Sequence, residues 1–229
     1  MKKHQGFTLI ELSLVMIILS ILATGLIASA RTYWIQSSIN EARKTTQQMK
    51  QIIMAFAIIE KRLPCPDANG FPGSGVAGPP DGQEDRVAGA CVGEKGFFPS
   101  VTLGVSRLDP WGQPYRYMVQ AAYADDNAGQ MSFTLEDPSA TIEVRDAADN
   151  PLATDLPAII YSLGPNTADT LATASDIEDQ NIDANRIYVQ AEYSPNGSNA
   201  TRFDDIVVWL SPFELRARMV EARVLPEGF

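Results

Sequence analysis

Hydrophobic and polar positions divide this chain into unequal parts. From Phe7 to Ala30 only one residue is charged, Glu11, and most of the others are apolar. As a helix rising about 1.5 Å per residue, this run reaches roughly 36 Å, enough to cross a hydrocarbon core of about 30 Å. Beyond it the pattern becomes amphipathic. Ile35, Ile39, Ala42, Met49, Ile52, Ile53, Phe56 and Ile59 recur at three- and four-residue steps, with Thr46 interrupting the row. Glu41, Arg43, Lys44 and Lys50 fall largely off it. No proline occurs between residue 7 and Pro64, so one helix is predicted up to about residue 62. Its amphipathic half is expected to pack on the protein's own globular part.

After Pro64 the pattern shortens. Residues 70–82 hold five glycines and three prolines, which predicts a loop. Tyr115, Tyr117 and Val119 alternate after the Pro/Gly-rich stretch from Asp109 to Pro114. They predict a half-buried strand behind a turn anchored by Trp111 as a core aromatic. Further strands are predicted at Met131–Leu135, Thr141–Val144, Ala158–Ser162, Arg186–Tyr193 and Asp205–Leu210. Short connections suggest antiparallel pairing. "PFELRARMVEARVLP" reads as a terminal helix stopped before Pro226. The fold class is therefore α+β: a long N-terminal helix packed on an antiparallel sheet, with residues 63–229 as one globular head.

Charge and composition narrow the chemistry. The chain has 229 residues and a net charge of −10, and Lys2 and Lys3 both precede Gly6. So acidic a body does not suit a phosphate backbone, and no nucleic-acid binding is expected of the head. The one histidine is His4. If residues 1–6 are removed, histidine triads and histidine metal ligands go with them. No carboxylate pair stands out, so the chain is not read as an enzyme. A membrane-anchored enzyme or sensor domain is the rival from another class.

The N-terminal run admits three readings. "ASA" at Ala28–Ala30 resembles a signal-peptidase site, though Glu11 then sits in the apolar region. An ordinary signal anchor accounts for the length but not for Glu11, since an intramembrane carboxylate costs about 2.5–3.5 kcal/mol. The third rests on "KKHQGFTLIEL", which resembles the leader and mature N-terminus of type IV pilins and type II secretion pseudopilins. The resemblance implies a leader of residues 1–6, cleaved after Gly6 by a prepilin peptidase. It implies a mature, N-methylated Phe7, with Glu11 at the fifth mature position. Residues 7–30 would then serve membrane insertion and assembly, and 31–62 would form the amphipathic half of the helix. Glu11 would pair with the N-terminal amine of a neighbouring subunit, each charge offsetting the other's desolvation. Lys2 and Lys3 favour a cytoplasmic N-terminus and a periplasmic head on an inner-membrane anchor.

That placement is oxidising, so Cys65 and Cys91, which bracket the Gly/Pro loop, are expected to form a disulfide. Two free thiols are the alternative. "DPWGQPY", from Asp109, is similar to a segment of the major pseudopilins, and "YSLGPNTADTLATASDI" to their Y-S-L-G loop. That loop binds calcium in the family. By match, Asn166, Asp169 and Asp176 are the candidate calcium positions, with Pro165, Asn166 and Thr167 standing where the family usually has an acidic residue and glycines. A solvated acidic loop is the alternative, and no other cofactor is implied. The expected function is a structural subunit of a helical filament, with a type II secretion pseudopilus preferred to a type IV or DNA-uptake pilus.

Overall fold

The computed structural model describes residues 8–125, 141–166, 177–183, 185–195, 197–198 and 201–225, with the side chains of 23–32 excepted. The strand expected at Met131–Leu135 lies outside them. The chain divides into two compact parts, residues 1–41 and 42–229.

Helix α1 runs from Leu9 to Glu60. Its stripe at Ala42, Thr46, Met49, Ile53 and Ala57 is fully buried. Thr46 fits because its hydroxyl donates to the carbonyls of Ala42 (2.9 Å) and Arg43 (3.0 Å) within the helix. The helix stops two residues earlier than expected. Lys61 takes a left-handed conformation at φ 59°, and its N–H bonds to Ala57 O, a C-terminal cap that comes before Pro64 can act. The predicted apolar row fails at its end, where Ile59 is 75% exposed. The bilayer-crossing helix expected over residues 7–30 is also not found as such. Among the described residues no helix is long and apolar enough to cross a membrane.

The head is built on a four-stranded antiparallel sheet in the order β3 (Lys95–Phe97), β4 (Arg116–Val119), β7 (Ala158–Ser162), β9 (Ile206–Leu210). Side chains alternate across it. Tyr117, Val119, Ala158, Ile160 and Leu210 share one core with Met49, Ile53 and Ala57 of α1. Leu215 and Met219 of the terminal helix α5 (Pro212–Glu221) join them. Met118, Ile159, Tyr161 and Val207 point the other way, into a second core. β4 is thus buried on both faces, not half-buried as its alternation suggested. Both of its neighbours in the layers are apolar, which is why Tyr-Met-Val and Ala-Ile-Ile-Tyr are continuous hydrophobic runs.

The second core is closed by a three-stranded sheet of β6 (Pro151–Leu156), β5 (Ile142–Arg145) and β8 (Ile187–Val189). Here the expected antiparallel pairing is corrected, for β5 and β8 run parallel. The chain between them is long enough to form β6 and β7 on the way, so it can return in the same direction. β6 itself was not predicted. It is a mostly exposed edge strand beginning on a proline, and so it carries no apolar alternation.

Among the described residues, the smaller elements are a hairpin of β1 (Arg86–Val87) and β2 (Ala90–Cys91) and three single-turn helices: α2 (Ser100–Leu103), α3 (Ala121–Ala124) and α4 (Asp179–Ile182). Lys50 of α1 meets Glu214 of α5 at 2.5 Å, an ion pair between the two helices. α5 begins with Pro212 at its first turn and ends at Glu221; Arg223, at a φ of 58°, turns the chain out of the helix ahead of Pro226.

Candidate functional site

The start of α1 carries a reciprocal cap. Thr8 N–H and Oγ1 both donate to Glu11 Oε2, at 3.0 and 2.9 Å. Glu11 N–H donates back to Thr8 Oγ1 at 3.3 Å. This is a capping box, with Thr8 as the N-cap and Glu11 three residues on. Sequence reasoning took Glu11 only as an assembly residue and missed this local role. The Thr-x-x-Glu spacing is the signal that finds it. The helix then presents a broad apolar surface, with Leu9 at 88% and Ile10 at 77% exposure. Polar groups within it are turned inward, as Ser13 and Ser20 hydroxyls bond to the carbonyls of Ile10 (2.9 Å) and Met16 (2.7 Å). Gly6 and Phe7, the expected cleavage pair, lie outside the described residues.

In the head, Cys65 and Cys91 form a disulfide across 26 residues of chain. The Gly/Pro loop they bracket is held by carboxylates. Arg62 meets Glu84 through two hydrogen bonds of 2.8 and 2.7 Å, and Glu84 also accepts from Cys65 N–H at 3.0 Å. Fully buried Asp67 accepts from Gly82 N–H at 2.6 Å and Asn69 N–H at 3.0 Å.

The two head motifs meet. Asp109 accepts from Trp111 N–H (3.0 Å) and Gln113 N–H (2.9 Å), and across the fold from Ser162 Oγ (2.7 Å). Burial raises the Asp109 carboxyl above its ordinary value, while the Ser162 and backbone donors pull the other way. The expected anchor of this turn, Trp111, is only partly buried. Asp109 anchors it instead, because its Oδ1 takes up both N–H groups that the tight turn leaves free, while Oδ2 accepts from Ser162.

Of the candidate calcium positions, Asn166 is described and Asp169 and Asp176 lie outside the described residues. Asn166 Nδ2 donates to both Glu178 oxygens, each at 3.2 Å.

Residues 1–27 match the family model of the prokaryotic N-terminal methylation motif. The chain carries a prepilin-type signal. This signal belongs to type IV pilins and pseudopilins, and it covers Gly6, Phe7, Thr8 and Glu11 together. It implies processing by a prepilin peptidase, a membrane-anchored or filament protein, and assembly with other pilin subunits. It also implies a structural rather than an enzymatic role. No curated protein and no solved structure matches the chain significantly.

Proposed function

We propose that this chain is a pilin-like filament subunit of a type II secretion pseudopilus. It is cleaved between Gly6 and Phe7 and anchored in the inner membrane by residues 7–30, with its head in the periplasm. The observation that carries the reading is the prepilin-type signal over residues 1–27, which ends a basic leader and opens an exposed apolar helix. In this reading Glu11 has two tasks. One oxygen closes the capping box with Thr8, and the negative charge receives the Phe7 amine of an adjacent copy. The membrane cost of that charge favours pairing over isolation.

The preference for type II secretion is supported by the D-P-W-G and Y-S-L-G segments, which resemble those of the major pseudopilins and meet through Asp109 and Ser162. Type IV pilus or DNA-uptake assembly is the second reading, since the signal is common to both systems. N-terminal mass spectrometry of the membrane-extracted protein tests the processing step. A mature chain beginning at N-methylated Phe7 is expected, and one beginning at Arg31 overturns the reading. Copy-to-copy crosslinking through residues 7–30 in membranes tests assembly.

A further inference from the structure

Three carboxylates close on one another in the head. Glu178 precedes α4, and Asp204 and Asp205 precede β9. Each offers an oxygen within 4.8 Å of the other two. All three are buried, at 0%, 2% and 4% exposure. Glu178 accepts from Asn166 Nδ2, from Arg202 Nε at 3.3 Å and from Asp204 N–H at 3.1 Å. Asp205 Oδ2 accepts from Asn181 Nδ2 at 2.7 Å. Asp204 Oδ1 and Asp205 Oδ1 are buried and, among the described residues, receive no hydrogen bond.

Such a cluster is costly as it stands. Among the described residues, Arg202 is ion-paired with Glu178, and the Arg116 guanidinium offsets part of the charge at Asp205. Desolvation, with repulsion from Glu178, pushes Asp204 up to about 7. Burial and its acidic neighbours push Asp205 well above the usual range. A buried charge without a counter-charge is among the most destabilising features a fold can carry. The backbone is shaped to hold it nonetheless. Gly164, at φ 67°, lies so close that a Cβ there would come within 2.4 Å of Asp204 Oδ1. The glycine of Y-S-L-G therefore leaves the space that Asp204 occupies.

We infer that Glu178, Asp204 and Asp205 together bind a calcium ion. The donors are all hard oxygens, with no nitrogen or sulfur among them. Calcium–oxygen distances of about 2.3–2.6 Å allow two ligands of one ion to stand at most about 4.6–5.2 Å apart, and the cluster meets that limit. Magnesium, at about 2.0–2.1 Å and reluctant to shed water, fits a buried site of this width less well. The two oxygens without donors are the atoms an ion would claim. Asp205 also forms part of the wall of a surface cleft shared with Gln190, Tyr193, Arg43 and Lys50. This donor set contains neither Asp169 nor Asp176. A bound ion would tie the segment ahead of α4 to the lead-in of β9, two stretches far apart in sequence, whether or not the chain enters a filament.

The test is calorimetric titration of the full-length protein in detergent with calcium chloride, beside thermal unfolding in calcium or in chelator. One ion per chain is expected, with a rise in unfolding temperature of about 5 °C or more at a hundredfold excess over Kd. Asp204→Asn and Asp205→Asn should each abolish that rise. In chelator, both variants should unfold at the same temperature as the parent or higher, because each takes an acidic group out of a buried cluster whose members repel one another. A residue with a merely structural role would destabilise in both conditions. Asp169→Asn and Asp176→Asn should keep the calcium response. The inference is overturned if calcium neither binds nor stabilises, or if the loop variants abolish the response while Asp204→Asn retains it.

Discussion

Ser162 at the end of β7 donates a 2.7 Å hydrogen bond to Asp109, 53 residues earlier in the chain. The bond joins the turn that launches β4 to the loop that leaves β7, so two neighbouring central strands are locked at the same end. Both partners are buried. Ser162→Ala leaves Asp109 Oδ2 short of a donor and should cost about 1–3 kcal/mol. Asp109→Ala should cost more, since it also orphans the N–H groups of Trp111 and Gln113. Denaturant unfolding of the two single variants and the double variant measures the coupling. Strictly additive losses would show that the bond contributes nothing beyond its parts.

At Glu11, cap and charge can be separated. Glu11→Gln keeps a side chain that closes a capping box with Thr8 but carries no charge. Thr8→Ala removes the cap, at about 1 kcal/mol, and keeps the charge. Filament assembly should be lost in Glu11→Gln and in Glu11→Leu, and retained in Thr8→Ala, while leader cleavage proceeds in all three. Filament yield beside a cleavage assay decides the matter. Assembly by Glu11→Gln would mean that the cap, not the charge, is what the filament needs.

Closing a 26-residue loop by the Cys65–Cys91 bond should stabilise the head by about 3.5 kcal/mol on the chain-entropy model. Replacing both cysteines with alanine should lower the denaturant midpoint accordingly. Reductant should shift the parent toward the variant and leave the variant itself unmoved.

Lys95 gives the head a pH signature in the alkaline range. Its ammonium bonds to the Asp183 carbonyl and lies 4.9 Å from the centre of the Tyr188 ring. Burial lowers it from 10.5 to about 8, with the Arg116 guanidinium adding to the effect and Asp183 opposing it. Below pH 8 both folded and unfolded chains hold the proton, and the desolvation cost is fully present. Between pH 8 and 10.5 the unfolded chain holds a proton that the folded chain has released, so this group makes stability rise with pH. The contribution by pH 9.5 should be on the order of 1–2 kcal/mol. Lys95→Met should lack it, read as the difference between the two proteins' urea midpoints at pH 7 and pH 9.5.

What the sequence discloses here depends on how local each cause is. The long helix, the Asp109 turn and the terminal helix announce themselves through spacing, caps and prolines, all read within a few residues. The prepilin-type signal is likewise a contiguous string. β6 escapes because an exposed edge strand needs no apolar alternation. The parallel pairing of β5 and β8 escapes because it depends on the route of the chain between them. Asp205 reads only as the first residue of a predicted strand, and Asp204 as nothing more than its neighbour. Their burial beside Glu178 is a tertiary fact with no local pattern. Trp111 misleads for the opposite reason, since its size suggests a core place that the turn's own hydrogen bonding makes unnecessary.

The covalent bridge around the Gly/Pro-rich loop has one more consequence. A protease that reaches residues 70–82 cuts between the two cysteines, so the nicked pieces stay joined. Arg62 and Glu84, gripping each other from opposite sides of the cut, hold them in register. The damaged molecule should migrate as one band without reductant and as two with it, and the sheet that begins at Lys95 should keep its fold. The head would outlast its own cleavage.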